Sequence, residues 1–207
     1  MLQDMNTSVR SVYHTDTWSP APISWPSQFR VKLAWSPDST RVVGGYTYTN
    51  METNPWRQQQ RIAVWQATGG KVLWNIVSLE GLSNLNGLAW SPDGARIASC
   101  GTKPIVLFAS NGGVRIWDAA TGRLVMTYTG HDQSADLWAV AWSPNGKYIA
   151  SGGSDKTVQV WDAATGAHLL TYQGHTNWVT CLAWSPDSAR IASGAIEGPI
   201  HVWQIVE

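Results

Sequence analysis

One four-residue string recurs through the chain and constrains its fold more than any other feature. Ala-Trp-Ser-Pro stands at residues 34–37, 89–92, 141–144 and 183–186, and Asp or Asn follows each copy. Downstream of each copy comes a short apolar stretch and then a segment rich in Val or Ile that ends in tryptophan, at Trp65, Trp117, Trp161 or Trp203. The chain is therefore a tandem array of similar units.

Each unit predicts an antiparallel meander. Ser-Pro-Asp-Gly at residues 91–94 is typical of a tight turn, because Pro presets φ, Asp bonds back to the backbone and Gly closes the turn. Apolar residues alternate on both sides of the turn, and two further strands follow, as at residues 157–161 and 169–172. Sheets that are apolar on both faces must stack on their neighbours. The sequence thus predicts an all-β fold, a β-propeller whose blades are four-stranded antiparallel sheets.

Several pairs of residues resemble the signature of WD40 repeats. They are Gly130-His131, Gly174-His175, Trp117-Asp118 and Trp161-Asp162, together with the Ser-Pro-Asp/Asn turns. The resemblance covers residues 31–207. It implies a single domain over residues 1–207, with four repeats at about 31–77, 86–128, 138–172 and 179–205.

In that family a hydrogen-bonded tetrad of His, Ser or Thr, Asp and Trp commonly holds each blade. The third repeat matches it fully, with His131, Ser151, Asp155 and Trp161. The fourth repeat has Glu at the Asp position, so its set is His175, Ser193, Glu197 and Trp203. The second repeat keeps Ser99 and Trp117 with Asn111 at the Asp position, and the first keeps only Trp65. We therefore expect the first two blades to be less rigid or differently tied.

The last repeat stops after its third strand, which raises the question of how the ring closes. An N-terminal strand at residues 8–13 overlaps residues 9–16, which resemble residues 170–177 at the end of the third repeat. We expect it to supply the missing strand, either in the same chain or in trans between two chains that form an eight-bladed homodimer. A third possibility is that the chain is a fragment of a longer array. The proline-rich residues 15–30 predict an ordered loop over the first blade.

His131, Ser151 and Asp155 are also the residue types of a hydrolase triad. Their place in the repeat favours a structural role instead, because the tetrad satisfies buried polar groups. Asp118 and Asp162 recur with a turn, which favours turn stabilisation over acid–base chemistry. The histidines and cysteines lack zinc spacing, and the Gly-Gly pairs lack the rest of a phosphate loop. We expect no enzyme activity, no metal and no cofactor.

Charge and composition exclude other classes of partner. Lys and Arg total 14 and Asp and Glu total 14, so the formal net charge is zero and no basic surplus favours nucleic acid. No apolar run approaches the ~20 residues of a membrane helix. The chain has two cysteines, too few for a disulfide framework, which favours a cytoplasmic location.

The spacing of the tryptophans locates a candidate binding face. From the first-strand to the third-strand tryptophan there are 19 residues in repeats three and four, 27 in repeat two and 30 in repeat one. The extra residues fall between the second and third strands, at the same end of the blades as the links between repeats. The insertions carry aromatic and basic residues that are typical interface anchors, namely Tyr48, Trp56, Arg57, Lys103 and Phe108. From the regular repeats, five further residues should lie near the same face: Asp136, Trp138, Lys156, Asn177 and Trp178. The insertions could instead extend a hairpin or cover a blade edge, and Trp178 could serve packing.

These observations predict a non-catalytic scaffold or adaptor that binds a protein or peptide on this loop face, with specific binding expected chiefly on the first two blades. The alternative is a sensor or regulatory module of a larger signalling protein, associated with an NTPase or kinase. The repeated Trp-Asp-Ala-Ala-Thr-Gly segment, which resembles repeats of bacterial multidomain proteins, favours that alternative.

Overall fold

The computed structural model describes residues 10–13, 20–25, 32–50, 57–78, 84–102 and 113–205, and every helix or strand in these ranges is a β-strand. The first six strands are β1 Arg10–Tyr13, β2 Pro20–Trp25, β3 Lys32–Trp35, β4 Arg41–Asn50, β5 Arg57–Gln66 and β6 Val72–Ser78. The next four are β7 Asn84–Trp90, β8 Arg96–Thr102, β9 Val114–Asp118 and β10 Leu124–Tyr128. The last seven are β11 Leu137–Trp142, β12 Tyr148–Gly153, β13 Val158–Asp162, β14 His168–Tyr172, β15 Val179–Trp184, β16 Arg190–Ala195 and β17 His201–Gln204.

Strands β3 to β17 form four antiparallel sheets in chain order. The first sheet is β3 to β6, the second β7 to β10, the third β11 to β14 and the fourth β15 to β17, and in each sheet consecutive strands are paired. The all-β architecture expected from the repeats is confirmed at this level: three sheets have four strands and the fourth sheet has three among the described residues.

The turn between the first two strands of each sheet is held by its serine. In the third sheet the hydroxyl of Ser143 donates to Oδ1 of Asn145 at 2.7 Å, and the backbone N–H of Tyr148 donates to Ser143 Oγ at 2.9 Å. The position after the Asp or Asn adopts a left-handed conformation, with φ of 76° at Gly146 but also 60° at Ser188. Serine thus stands twice where glycine is favoured, since Ser39 has φ of 59°.

The N-terminal strand does not join the fourth sheet. β1 pairs antiparallel with β2, with Arg10 opposite Trp25, in a two-stranded sheet of its own. The prediction that residues 8–13 complete the last sheet of the same chain is therefore wrong for this structure. The prediction of a loop over residues 15–30 also needs correction, because β2 lies there. Local pairing across a short connection has a low loop-closure cost, and Pro20 stands at the first position of the strand, where proline is tolerated.

Neighbouring sheets stack through side chains that alternate along each strand. Val158 and Val160 of β13 pack toward the fourth sheet, whereas Trp161 packs toward the second. All three side chains have 0% exposure. Because both faces of the third sheet are covered, its strands are apolar on both sides, as the sequence pattern indicates.

Candidate binding face

The connections between second and third strands meet the connections between sheets at one end of the stack, which we call the loop face. In the third sheet the N–H of Ser154 donates to the carbonyl of Asp136 at 2.8 Å, and the N–H of Asp136 donates to Ser154 Oγ at 2.9 Å. In the fourth sheet the N–H of Ile196 donates to the carbonyl of Trp178 at 3.0 Å. The two sets of connections are therefore held together by hydrogen bonds.

A chain of four side chains lies beneath the loop face in the third sheet. The indole Nε1 of Trp161 donates to Ser151 Oγ at 3.2 Å, and Ser151 Oγ lies 2.8 Å from His131 Nε2. His131 Nδ1 in turn lies 2.7 Å from Oδ2 of Asp155. One consistent set of donors runs from indole to hydroxyl to imidazole to carboxylate, so each buried polar group has a partner.

The electrostatics of this chain favour the ionised carboxyl. Burial alone would raise the pKa of Asp155, but the hydrogen bond and electrostatic attraction of His131 outweigh it, with help from the backbone N–H of Thr157. The pKa of Asp155 is therefore lowered from its ordinary value. The carboxylate acts as a fixed acceptor that orients the His131 ring.

The fourth sheet holds its histidine differently. His175 Nε2 lies 2.7 Å from Ser193 Oγ, and Trp203 Nε1 donates to the same oxygen at 3.2 Å. Glu197 is exposed, with φ of 51°, and the structure does not bring it into this chain. The ring of His201 instead stacks on His175, with centroids 4.4 Å apart. Burial, and then the charge of His201, lowers the pKa of His175.

A tyrosine from the preceding sheet closes each of these two sites. Tyr128 stacks on Trp161 with centroids 4.4 Å apart and donates its hydroxyl to Gln159 Oε1 at 2.7 Å. Burial raises the pKa of Tyr128 to about 12, which keeps its hydroxyl a donor. In the fourth sheet Tyr172 stacks on Trp203, and its hydroxyl lies 2.6 Å from His201 Nδ1.

Sequence reasoning missed the roles of Gln159 and His201. Their equivalent positions, two residues before the last tryptophan of each repeat, were the available signal. In the third and fourth sheets the side chain at this position hydrogen-bonds to the tyrosine of the preceding sheet, so it contributes to the contact between sheets.

Two tryptophans from adjacent sheets form an aromatic pair at the loop face. The rings of Trp138 and Trp178 stack with centroids 5.9 Å apart and an interplanar angle of 16°. Trp178 is 41% exposed, whereas the Nε1 of Trp138 is buried with no hydrogen-bond partner. Asn177 Oδ1 accepts the N–H of Trp178 at 2.8 Å and so orients this residue. The pair thus combines an exposed apolar ring with an unsatisfied donor.

The remaining predicted anchors are distributed unevenly. Asp136 and Lys156 lie in connections of the third sheet at the loop face, and Lys156 is exposed with φ of 65°. The backbones of Tyr48 and Arg57 lie in β4 and β5, whose register extends to Asn50 opposite Arg57, so the first insertion lengthens a hairpin. Trp56, Lys103 and Phe108 lie outside the described residues, as does Asn111.

Two further findings bear on the site. Across the described ranges, no three His, Cys, Asp or Glu side chains are grouped so that they could hold a metal ion. Within the same ranges, no helix has the length and apolarity needed to cross a membrane.

Comparison with known proteins agrees with the strand pattern and the turn chemistry. The family model described as WD domain, G-beta repeat matches residues 75–118, 122–162 and 166–204, which together exceed half of the chain. The chain therefore belongs to the WD40 repeat family. The matched residues hold three repeats, and most of the first sheet lies before them.

One relative is Elongator complex protein 2 of Schizosaccharomyces pombe (strain 972 / ATCC 24843). It is 25% identical over 136 residues, which are 61% of this chain and 16% of that protein. The match thus spans about a sixth of the length of the relative.

Proposed function

We propose that this protein is a non-catalytic binding module that holds a protein or peptide partner on the loop face of its third and fourth sheets. The observation that carries the proposal is the stacked pair of Trp138 and Trp178, which brings an exposed ring and an unsatisfied indole N–H to one place. WD40 repeat proteins generally mediate protein–protein interactions, which supports the same class of function.

The energetics of the aromatic pair support a protein partner. Covering the exposed part of Trp178 would contribute on the order of 2 kcal/mol from apolar burial alone. An unsatisfied buried donor costs about 1–3 kcal/mol, so a partner carbonyl that reached Trp138 Nε1 after a shift of the Trp178 ring would recover that cost. Lys156 stands in the same loop face as a cation for the rim of an interface.

A non-catalytic role is supported by how the triad-like residues are held. Ser151 is 0% exposed, and its oxygen is shared between the ring of His131 and the indole of Trp161. A nucleophile needs access to substrate, and this hydroxyl has none. We further propose a cytoplasmic location, since the described cysteines, Cys100 and Cys181, are both free thiols.

The proposal includes a ring architecture in which the four sheets are blades of a propeller. The consecutive pairing of strands in each sheet and the face-to-face stacking of neighbouring sheets support it. A strand from residues 8–13 that completes the fourth sheet in trans stays part of this proposal.

A second candidate is a sensor or regulatory module within a larger protein. The observation that favours it is that the fungal relative is several times longer than the matched region, and its name places it in a complex. For the present chain this supports a role in a multi-protein assembly.

The test uses a photo-crosslinking phenylalanine analogue at position 178 and, as a matched control, at position 169. Leu169 is 50% exposed on the outer strand β14, away from the loop face. We expect position 178 to label one partner repeatedly in cells, identified by mass spectrometry, and position 169 not to label it. Trp178→Ala should then weaken binding of that purified partner by about tenfold or more. Equal labelling from both positions, or an unchanged Kd, would exclude this face.

The insertions of the first two repeats offer a competing location. Substituting Trp56, Arg57 and Phe108 together by Ala should leave binding through Trp178 intact if the partner sits on the third and fourth sheets. A loss of binding in this triple variant, with the Trp178→Ala variant unaffected, would move the interface to the insertions.

A further inference from the structure

Adjacent sheets are joined by a repeated set of contacts, which we call the seam. Between the first and second sheets, Trp90 Nε1 donates to the carbonyl of Ala34 at 3.0 Å, and the guanidinium of Arg41 lies 4.8 Å from the centre of the Trp90 ring. Arg41 also donates to the carbonyl of Gly94 at 3.0 Å. This seam therefore combines a tryptophan on the first strand of one sheet with an alanine carbonyl and a stacking group on the sheet before it.

The seam between the third and fourth sheets repeats these positions. Trp184 Nε1 donates to the carbonyl of Ala141 at 3.1 Å, and Tyr148, which stands at the position of Arg41, stacks on Trp184 with centroids 6.3 Å apart. Cation and aromatic ring are interchangeable at this position because both stack on an indole face.

The seam between the second and third sheets departs from this rule. Trp142 Nε1 donates to the carbonyl of Gly146 in its own turn at 3.2 Å, and Arg96 donates to the carbonyl of Ala163 at 3.1 Å. A cleft of about 810 Å³ opens beside Trp142. Other bonds hold this seam, including that from Asn86 Nδ2 to the carbonyl of Leu137 at 2.9 Å.

The two outermost sheets leave seam positions uncovered. Ile200 and Val202 of the fourth sheet are 72% and 64% exposed, whereas Val158 and Val160, at the same positions of the third sheet, are fully buried. Cys181 lies on the same uncovered face as Val202 and is exposed.

On the first sheet, Leu33 and Trp35 are 51% and 56% exposed, whereas Val42 and Trp65, on the same face of the second and third strands, are buried. The exposure on this face is thus confined to the first strand, which carries the tryptophan at the seam position.

We propose that a second copy of this chain covers both ends, so that the fourth sheet of each copy joins the first sheet of the other through two further seams. Trp35 stands at the position equivalent to Trp90, and its indole Nε1 donates to the carbonyl of Ala183 in the other copy. Arg190, whose side chain is 59% exposed, stands at the position of Arg41 and stacks on that Trp35. A two-fold axis makes the two contacts identical and closes the assembly.

The choice of a second copy follows from complementarity. Each uncovered position is the repeat equivalent of one that already forms a seam within the chain, so the two ends fit one another. In the described residues they do not meet within a single chain, since both stay exposed. The proposal concerns a surface other than the loop face, so its failure would leave the proposed partner-binding site untouched and would remove only the completion of the fourth sheet in trans.

A disulfide across the new seam provides the test. Gly87 stands at the position of Cys181 and Val140 at that of Leu33, and a Cβ placed on Gly87 would lie 3.2 Å from Val140 Cγ1. Leu33→Cys should therefore lie within disulfide reach of Cys181 in the other copy. Cys100 should not form a disulfide in this experiment, because burial raises the pKa of its thiol to about 12.

Under mild oxidation we expect the Leu33→Cys variant to become a covalent dimer that reducing agent dissolves. Leu169→Cys is the matched control, since Leu169 is 50% exposed but lies on β14, away from both ends. Equal dimer formation by both variants would overturn the proposal. A bridge formed at monomer mass would overturn it as well, because the ends would then meet within one chain.

Light scattering of the unmodified chain gives the second measurement. We expect twice the chain mass of 22.7 kDa at high concentration, and Trp35→Ala should raise the dimer dissociation constant by at least about tenfold. A monomer mass at all concentrations, or the formation of open polymers, would overturn the proposal of a closed dimer. If Trp35→Ala does not fold, the disulfide between Leu33→Cys and Cys181 tests the proposal instead.

Discussion

The third and fourth sheets share one strand pattern but differ in how their histidine is held and in what covers their outer face. In the third sheet a carboxylate, Asp155, orients His131, whereas in the fourth the ring of His201 lies against His175. Val160 is fully buried, while its equivalent Val202 is 64% exposed. The difference shows that a repeat motif specifies the strand pattern of its sheet, whereas the neighbouring sheets determine the burial and electrostatics of its side chains.

The largest expected difference concerns the last tryptophan of each repeat. Trp161→Ala should destabilise the protein by about 3–5 kcal/mol, because it removes a fully buried ring that stacks on Tyr128. Trp203→Ala should cost less, since Trp203 is only partly buried. Urea unfolding monitored by circular dichroism measures both. Equal losses of unfolding free energy would show that the two tryptophans stabilise their sheets equally. If Trp161→Ala does not fold, Trp161→Phe replaces it in the comparison.

The carboxyl position gives the next contrast. Asp155→Asn should cost about 1–3 kcal/mol, because it weakens a buried bond to His131. Glu197→Gln should change stability by no more than about 0.5 kcal/mol, since Glu197 is exposed. Thermal melts at neutral pH compare the two, and a larger loss at Glu197 would contradict the geometry.

The histidine pair predicts a pH dependence particular to the fourth sheet. Burial and the charge of His201 lower the pKa of His175 from 6.5, so the unfolded chain takes up the proton more readily. The stability contributed at higher pH is therefore lost as the pH falls below about 6.5. His201→Gln, which copies Gln159, should reduce this loss between about pH 8 and pH 5.5 in thermal melts. If the variant lost stability as steeply as the wild type, the pH dependence would have a source other than His201.

The smallest effect is expected at the turns. Hydrogen bonds from the Ser185 hydroxyl and then from the Ala189 N–H lower the pKa of Asp187, whereas the third sheet has the neutral Asn145 at this position. Stability from Asp187 is present above its ordinary pKa and is lost as the pH falls through the lowered value. Asp187→Asn should thus show a smaller fall in Tm between about pH 5 and pH 2.5 than the wild type. Asn145→Asp should show a larger fall.

Much of the fold could be predicted from the sequence because its causes are local. The Ser-Pro-Asp turns at residues 36–38 and 91–93 are closed by bonds between residues two and five apart, such as those of Ser36 with Asp38 and Arg41. Strand alternation is equally local. The shared loop face followed from the meander, and Asp136, Trp138, Lys156 and Trp178 lie in its connections or at the adjoining strand end.

The rest of the site depended on contacts distant along the chain. Stacking between Trp138 and Trp178 joins two sheets, and nothing within either repeat predicts that Trp138 Nε1 is left without a partner. The sequence does not distinguish His201 from other histidines, because its contacts with Tyr172 and His175 arise only when the third and fourth sheets pack together.

The sequence by itself determined that this chain forms repeated antiparallel sheets with serine-held turns, since strand period and turn chemistry act over a few residues. The tertiary structure decided three other matters: that β1 pairs with β2 instead of the fourth sheet, that His201 and not Glu197 stands against His175, and that Trp35 and Val202 stay exposed. The physical reason is that burial belongs to pairs of surfaces. A repeat specifies its own two faces, and only packing determines which neighbour each face meets.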